Sequence, residues 1–207
     1  MSIFIWEVVI LCILYWVKTQ IPYWQGKFGE NFVSRKLHGL DSGRYKIIDD
    51  VLLPSNGNTK TTQIDHVVVS NFGIFCIETK MYSGWIFGNA HQQYWTQVIY
   101  HNKTRFYNPL RQNYAHMKAV EDLVLPLYPS IPILSFVAFP IAGKLKISGT
   151  DRVGHAVDVV NKIEAIDKQV LSDADRDNIY DIISRANIMD KNTRKKHNIE
   201  IKELKNL

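Results

Sequence analysis

Cysteine is scarce. Cys12 and Cys76 are the only two in 207 residues, both set in apolar runs. That excludes a disulfide framework and any zinc-type ligand spacing, and it suits a reducing compartment. No G-x-S-x-G elbow, P-loop or H-E-x-x-H pattern occurs, so the corresponding serine-hydrolase, nucleotide-binding and zinc-protease signatures are missing. Cys76 lies mid-strand among apolar neighbours, a poor setting for a nucleophile. Internal repeats and low-complexity segments are also absent. Long hydrophobic runs are nearly so. Only Ile3 to Val17 qualifies, interrupted by Glu7. At about 1.5 Å per residue it measures about 23 Å, against roughly 30 Å of bilayer hydrocarbon.

What is present is a globular composition. Hydrophobic residues make up 46% and aromatics 12%, enough for a buried core. The formal net charge of +5 favours an anionic partner, nucleic acid or acidic lipid. The N-terminal run is flanked by Trp6, Tyr15, Trp16, Tyr23 and Trp24, the residues of interfacial anchors, and followed by Lys18 and Lys27. These features predict a single-pass membrane anchor over residues 1–23 with the remainder cytoplasmic. A buried or interfacial helix is the alternative. No basic residue precedes the run and no small-x-small site follows it, so it is not read as a cleaved leader.

The segments beyond order themselves as helix, several strands, helix, strand, helix. Gly26 to Leu37 reads as a helix with Glu30 in its first turn, beginning after Pro22 breaks the pattern. Tyr45 to Leu53 reads as a strand, and Ser55 to Asn58 as a loop. Tyr94 to Tyr100 is a further short strand, with a turn at His101 to Lys103. Asn108-Pro109 opens a helix with proline in its first turn. Ile131 to Pro140 is an almost continuous apolar strand of the buried parallel type. Ser172 caps a helix that ends near Ala186. The predicted class is α/β, a mixed central sheet flanked by helices. The expected organisation is a domain over 24–140 and a helical extension over 141–207.

Two short pieces carry the chemistry: Gln63-Ile64-Asp65 and Glu78-Thr79-Lys80. Each lies in a β-branched apolar run, and a tight turn near Asn71-Phe72-Gly73 joins them as a hairpin. Glu78 and Lys80 are two apart and share a face. Asp65 joins them if the register allows. A two-residue turn at Phe72-Gly73 sets it opposite Lys80, and a four-residue turn from Ser70 to Gly73 sets it opposite Glu78. A bulge-free three-residue turn sends it to the other face. By the same alternation Gln63 shares the face of Asp65, and His66 points away. An isolated E-x-K on a strand is ordinarily a solvated pair. Two carboxylates and a lysine converging on one face have the composition of a divalent-cation site with a cationic partner.

The ordered set Gly26-x-x-Gly29-Glu30, Gln63-Ile64-Asp65-His66, Glu78-Thr79-Lys80, Gly84-Trp85, Trp95-Thr96-Gln97 and Asn108-Pro109-x-x-Gln112 resembles the nuclease-related domain, NERD. That domain is grouped with the PD-(D/E)XK nuclease fold. The resemblance covers roughly Trp24 to Pro140. It implies hydrolysis of nucleic acid, DNA before RNA, with Mg²⁺ or Mn²⁺ as cofactor. It assigns Asp65 and Glu78 as metal ligands, the Thr79 carbonyl as a third, and Lys80 as the residue that orients water or steadies charge on phosphate. Glu30 approaches the metal from its helix in such folds. Gln112 steadies substrate or metal-bound water, with His116 one turn later. Gln63, Lys27 and Arg111 are candidate substrate contacts. Trp85 and Trp95 are candidates for base stacking or for core packing, and Lys103 and Arg105 belong to a basic rim. The alternative function is a nucleic-acid-binding or membrane-assembly module that keeps the fold without cleaving.

Overall fold

The computed structural model describes residues 2–57 and 59–205. Asn58, at the end of the expected loop, lies outside that set, as do the side chains of Cys12, Trp16 and Tyr23. The first helix, α1, runs unbroken from Ser2 to Leu37. Pro22 does not end it. A proline lacks one backbone donor, and the ladder continues on either side of the gap. Among the described residues no helix is long and apolar enough to cross a membrane. The anchor expected over residues 1–23 therefore has no support among those residues, and many side chains of the Ile3-to-Val17 run lie outside them. Trp6, Ile10, Leu11, Leu14 and Tyr15 are exposed along this part of α1.

Two antiparallel and two parallel pairings build the main sheet. Strand β1 (Tyr45–Pro54) pairs antiparallel with β2 (Thr61–Ser70), and β2 pairs antiparallel with β3 (Gly73–Thr79). β3 is buried along its whole length and pairs in parallel with β7 (Ile133–Ala138), as the continuous apolar run predicts. The short β9 (Val153–Gly154) completes the order β1-β2-β3-β7-β9. Helices α2 (Pro109–Val124) and α4 (Asp173–Ala186) cover one face, where Val67, Val69, Ile74, Val120 and Ile179 interlock. The C-terminal part of α1 and helix α3 (Ala156–Glu164) cover the other through Val33, Leu37, Val68, Phe75 and Val159. The mixed sheet between helical layers is the predicted class.

A second, smaller sheet was only partly anticipated. β4 (Trp85–Asn89), β5 (Tyr94–Ile99), β6 (Asn102–Tyr107) and β8 (Lys144–Ser148) pair in the order β6-β5-β4-β8. Its inner face, with Ile86 and Trp95, packs on Val137 and Phe139 of the main body. Because β8 and β9 lie beyond residue 140, the C-terminal segment is not purely helical: it contributes an edge strand to each sheet before α4 and α5 (Lys191–Lys205).

The pleat of the main sheet slips once. Ile48 and Val51 lie three apart in β1 yet pack in one cluster, and so do Ile64 and Val67 in β2. Strict alternation would put each pair on opposite faces. The slip coincides with Asp50, whose φ of 55° is left-handed. Asp tolerates that region better than most side chains. Arg194 of α5 holds it there, with Nη2 donating to the Asp50 carbonyl (2.9 Å) and Nη1 to its carboxylate (3.0 Å).

Candidate metal centre

The turn of the β2–β3 hairpin closes at Ser70 opposite Gly73, leaving Asn71 and Phe72 as the loop. Ser70 Oγ accepts from the Phe72 amide and donates to the Gly73 carbonyl (both 3.0 Å). Gly73 has a φ of 137°, and a Cβ there would stand 2.6 Å from the Pro132 carbonyl oxygen, so both conformation and space require glycine. This register pairs His66 with Ile77, and one further step sets Asp65 against Glu78. It is the register that a four-residue turn implies, tightened by one more pair.

Glu78 is 3% exposed. Lys80 Nζ lies 2.6 Å from its Oε1, and the same ammonium donates to Gln112 Oε1 (2.9 Å) on α2. His116 Nε2 stands 3.2 Å from Glu78 Oε2, out of line for a hydrogen bond, and both atoms are buried without a hydrogen-bond partner. Thr62 Oγ1 and His116 Nδ1 are 2.6 Å apart, which fixes the ring. Burial pushes Glu78 towards its neutral form, but the charges of Lys80 and His116 outweigh it and hold the carboxyl below its ordinary pKa. Asp65 goes the other way. Burial first, then the charges of Glu78 and Glu30, raise it well above the usual range, although Asp65 Oδ2 accepts from the Thr79 amide at 2.7 Å. The charges of the two carboxylates oppose one another, and the Lys80 ammonium between them is engaged by Glu78.

Glu78 Oε2, buried and without a hydrogen bond, tests the fit of a metal. It is an oxygen donor with coordination capacity to spare, beside a second carboxylate. Among the described residues no three or more His, Cys, Asp or Glu side chains are grouped to hold a metal ion. Mg²⁺ does not demand such a cage, since one or two carboxylates with waters and substrate oxygens suffice. The donor set fits that mode.

The remaining expected residues divide. Glu30 reaches this site through its charge on Asp65, and Gln112 through Lys80. A Cβ on Gly29 would lie 2.9 Å from Met81 Sδ, so α1 passes close beside the chain just after Lys80. Gln63 does not join them. Its amide donates instead to Asp50 Oδ1 (2.7 Å). Lys27 pairs with Glu30 at 3.1 Å on the exposed side of α1, and Arg111 donates to the His91 carbonyl (3.0 Å). Trp95 is core, 1% exposed, whereas Trp85 is 46% exposed. Cys76 is fully buried, its thiol pushed up to about 12 chiefly by burial, in keeping with its reading as unreactive.

Sequence reasoning missed two supports. Asn113, one residue after Gln112, donates to the carbonyls of Cys76 (2.8 Å) and Phe136 (2.9 Å) and so pins α2 across β3 and β7. Its position immediately after the Asn108–Gln112 stretch was the only available hint. On the opposite sheet face His66 Nδ1 donates to Asp49 Oδ1 (2.6 Å), and its Nε2 shares a hydrogen bond with Thr79 Oγ1 (3.2 Å). Ser34 (2.7 Å) and His38 (3.0 Å) add hydrogen bonds to Asp49 Oδ2. Burial raises the Asp49 carboxyl, but these donors outweigh it and hold it far below its ordinary range. This network ties the end of α1 to β1, β2 and the C-terminal end of β3 from behind the site.

A nuclease-like α/β sheet, with an acidic pair and a lysine at the hairpin's polar end, is the class that fold and site define. The model of the nuclease-related domain matches residues 25–140, and the chain belongs to that family, NERD, within the PD-(D/E)XK-like nuclease superfamily. It is 37% identical over 205 residues to an uncharacterized protein of Bacillus anthracis, with 95% of each chain covered. A crystal structure of a protein of unknown function, AF1548, matches 67% of this chain and 66% of its own at 13% identity and a TM-score of 0.32, too distant to carry an argument.

Proposed function

We propose that this chain hydrolyses phosphodiester bonds of nucleic acid, DNA before RNA, using Mg²⁺ or Mn²⁺ held by Asp65 and Glu78 with the Thr79 carbonyl. The observation that supports it most is the buried Asp65–Glu78 pair with Lys80 on one carboxylate oxygen and Glu78 Oε2 left without a hydrogen bond. A divalent cation there supplies Lewis acidity and lowers the pKa of a bound water. Asp65 and Glu78 fix its place. Lys80 presents an ammonium where negative charge grows on the phosphate, and Gln112 keeps that ammonium aimed. His116 occupies the far side of Glu78 and keeps its carboxylate ionised.

The test is cleavage of plasmid and single-stranded substrates with Mg²⁺ or Mn²⁺, beside Glu78→Ala and Lys80→Ala. Both variants are expected to lose cleavage. Calorimetry is expected to show metal binding lost in Glu78→Ala and kept in Lys80→Ala, because an ammonium is no ligand. Cleavage that persists in Glu78→Ala refutes the assignment. The second reading is a nucleic-acid-binding module that keeps the fold without cleaving. It predicts nucleic-acid binding that no divalent ion converts to hydrolysis.

A further inference from the structure

The small sheet has two unlike faces. Its inner face is core. Its outer face carries Trp85 and Phe87 from β4, with Tyr94 from β5 and Tyr107 from β6; the ladder aligns Phe87 with Thr96 and Tyr94 with Tyr107. Trp85, Tyr94 and Tyr107 are 46%, 42% and 46% exposed. The flanking strands supply the charge. Lys144 and Lys146 of β8 pair with Trp85 and Phe87, and Lys103 and Arg105 of β6 pair with Val98 and Thr96. Alternation puts all four on the outer face, and all are exposed. Their charges sit against the rings: Lys146 lies 4.9 Å from the Trp85 centroid and 5.1 Å from Phe87, and Arg105 lies 4.8 Å from Tyr94.

No carboxylate of the sheet itself offsets this charge. The sequence holds no Asp or Glu between Glu78 and Glu121, and none between Asp122 and Asp151, so all four strands of the sheet lack them. A solvated protein surface normally intersperses both signs. Here aromatic rings run between two cationic edges and acids are excluded.

We infer that this face binds single-stranded nucleic acid, with unpaired bases on the rings of Trp85, Phe87, Tyr94 and Tyr107 and phosphates on the lysines and Arg105. Rings standing on a flat sheet between basic edges match the chemistry of a strand, which has π-faces along its middle and anions along its backbone. Duplex bases are stacked on one another and offer the rings nothing. A bilayer is matched less well, because side chains of a pleated face stand level and form no apolar wedge. β4 begins just after the Lys80-to-Gly84 segment, and Gln97 of β5 donates to the Ser83 carbonyl (2.8 Å). The sheet is thus tied to the chain that leaves the metal centre. The inference rests on nucleic acid being the substrate class but not on cleavage.

The experiment uses the full chain in EDTA, where no divalent ion permits hydrolysis, and follows the anisotropy of a labelled oligothymidine. Binding is expected, with log K falling about 0.7 per phosphate contact for each tenfold rise in salt. Trp85→Ala and Tyr94→Ala should each weaken it about tenfold, and Trp85→Phe should retain most of it. The double change Lys144→Glu and Lys146→Glu should flatten the salt dependence by at least 1.4, from two contacts at about 0.7 each. Circular dichroism checks that the variants fold, as their exposure leads one to expect. Oligothymidine affinity unchanged by the ring variants overturns the inference, as does equal affinity for duplex that ring removal leaves untouched. So does capture by phosphatidylserine vesicles with no binding to oligothymidine. Loss of ring-dependent binding with Glu78-dependent cleavage intact would refute this face alone, and the converse would refute the metal centre alone.

Discussion

Lys80→Met removes an ammonium from a buried carboxylate and keeps the aliphatic stem. Lys80 Nζ lies 2.6 Å from Glu78 Oε1, and Glu78 is 3% exposed. Breaking a buried pair from one side costs about 3–5 kcal/mol, because the surviving charge stays desolvated. His116 softens the loss only partly, since its Nε2 is out of line with Oε2. We take the lower bound, about 3 kcal/mol. For a chain of this size each kcal/mol moves the melting temperature by about 2–4 °C, so Tm should fall by about 6–12 °C in EDTA. The same vacancy of positive charge should make a divalent cation more valuable. A ligand at a hundred times its Kd stabilises by about 2.7 kcal/mol, so saturating Mg²⁺ should return most of the deficit and raise Tm more in Lys80→Met than in the wild type. Cleavage should stay absent, because the cation does not replace the ammonium at the phosphate. Adding Glu78→Gln should recover part of the stability in EDTA and abolish the Mg²⁺ response. Differential scanning calorimetry with and without Mg²⁺ decides. An unchanged Tm in EDTA, or an equal Mg²⁺ shift in both proteins, would refute the electrostatic account of the site.

Asn113→Ala should cost about 2 kcal/mol, from two buried hydrogen bonds to Cys76 and Phe136 at about 1 kcal/mol each. A denaturant midpoint that does not move would mean that α2 is held by apolar packing alone. Asp49 has a folded pKa below its unfolded one, so its contribution is complete above about pH 4 and is lost as pH falls through the folded value. Urea melts of the wild type and Asp49→Asn should therefore differ at pH 7, and the gap should narrow steadily as pH falls below about 4 towards the folded value; a gap independent of pH would assign the effect to packing. Glu78→Ala and Lys80→Ala should separate metal binding from cleavage as described, and Trp85→Ala should bind oligothymidine about tenfold more weakly without losing its fold.

Glu78-x-Lys80 on one face and His66 on the other follow from the two-residue period of a strand, and the structure keeps both. The parallel strand after Ile131 and the helix opened by Asn108-Pro109 were legible for similar reasons: an unbroken apolar run needs two covered faces, and a capping asparagine before proline starts a helix. The family motifs were legible because they are contiguous. Three matters were not. The hairpin register depended on Ser70 folding back on the turn and on Pro132 crowding Gly73. β8 reads as an ordinary basic stretch until β4 lies beside it, so the second sheet and its acid-free outer face exist only in three dimensions. Gln63 was placed with Asp65 by alternation, but it bonds to Asp50, which Arg194 in the last helix holds in a left-handed conformation. Short-range periodicity is written in neighbouring residues. A slip of the pleat is stabilised by hydrogen bonds from the far end of the chain, and only the folded protein brings those donors to Asp50.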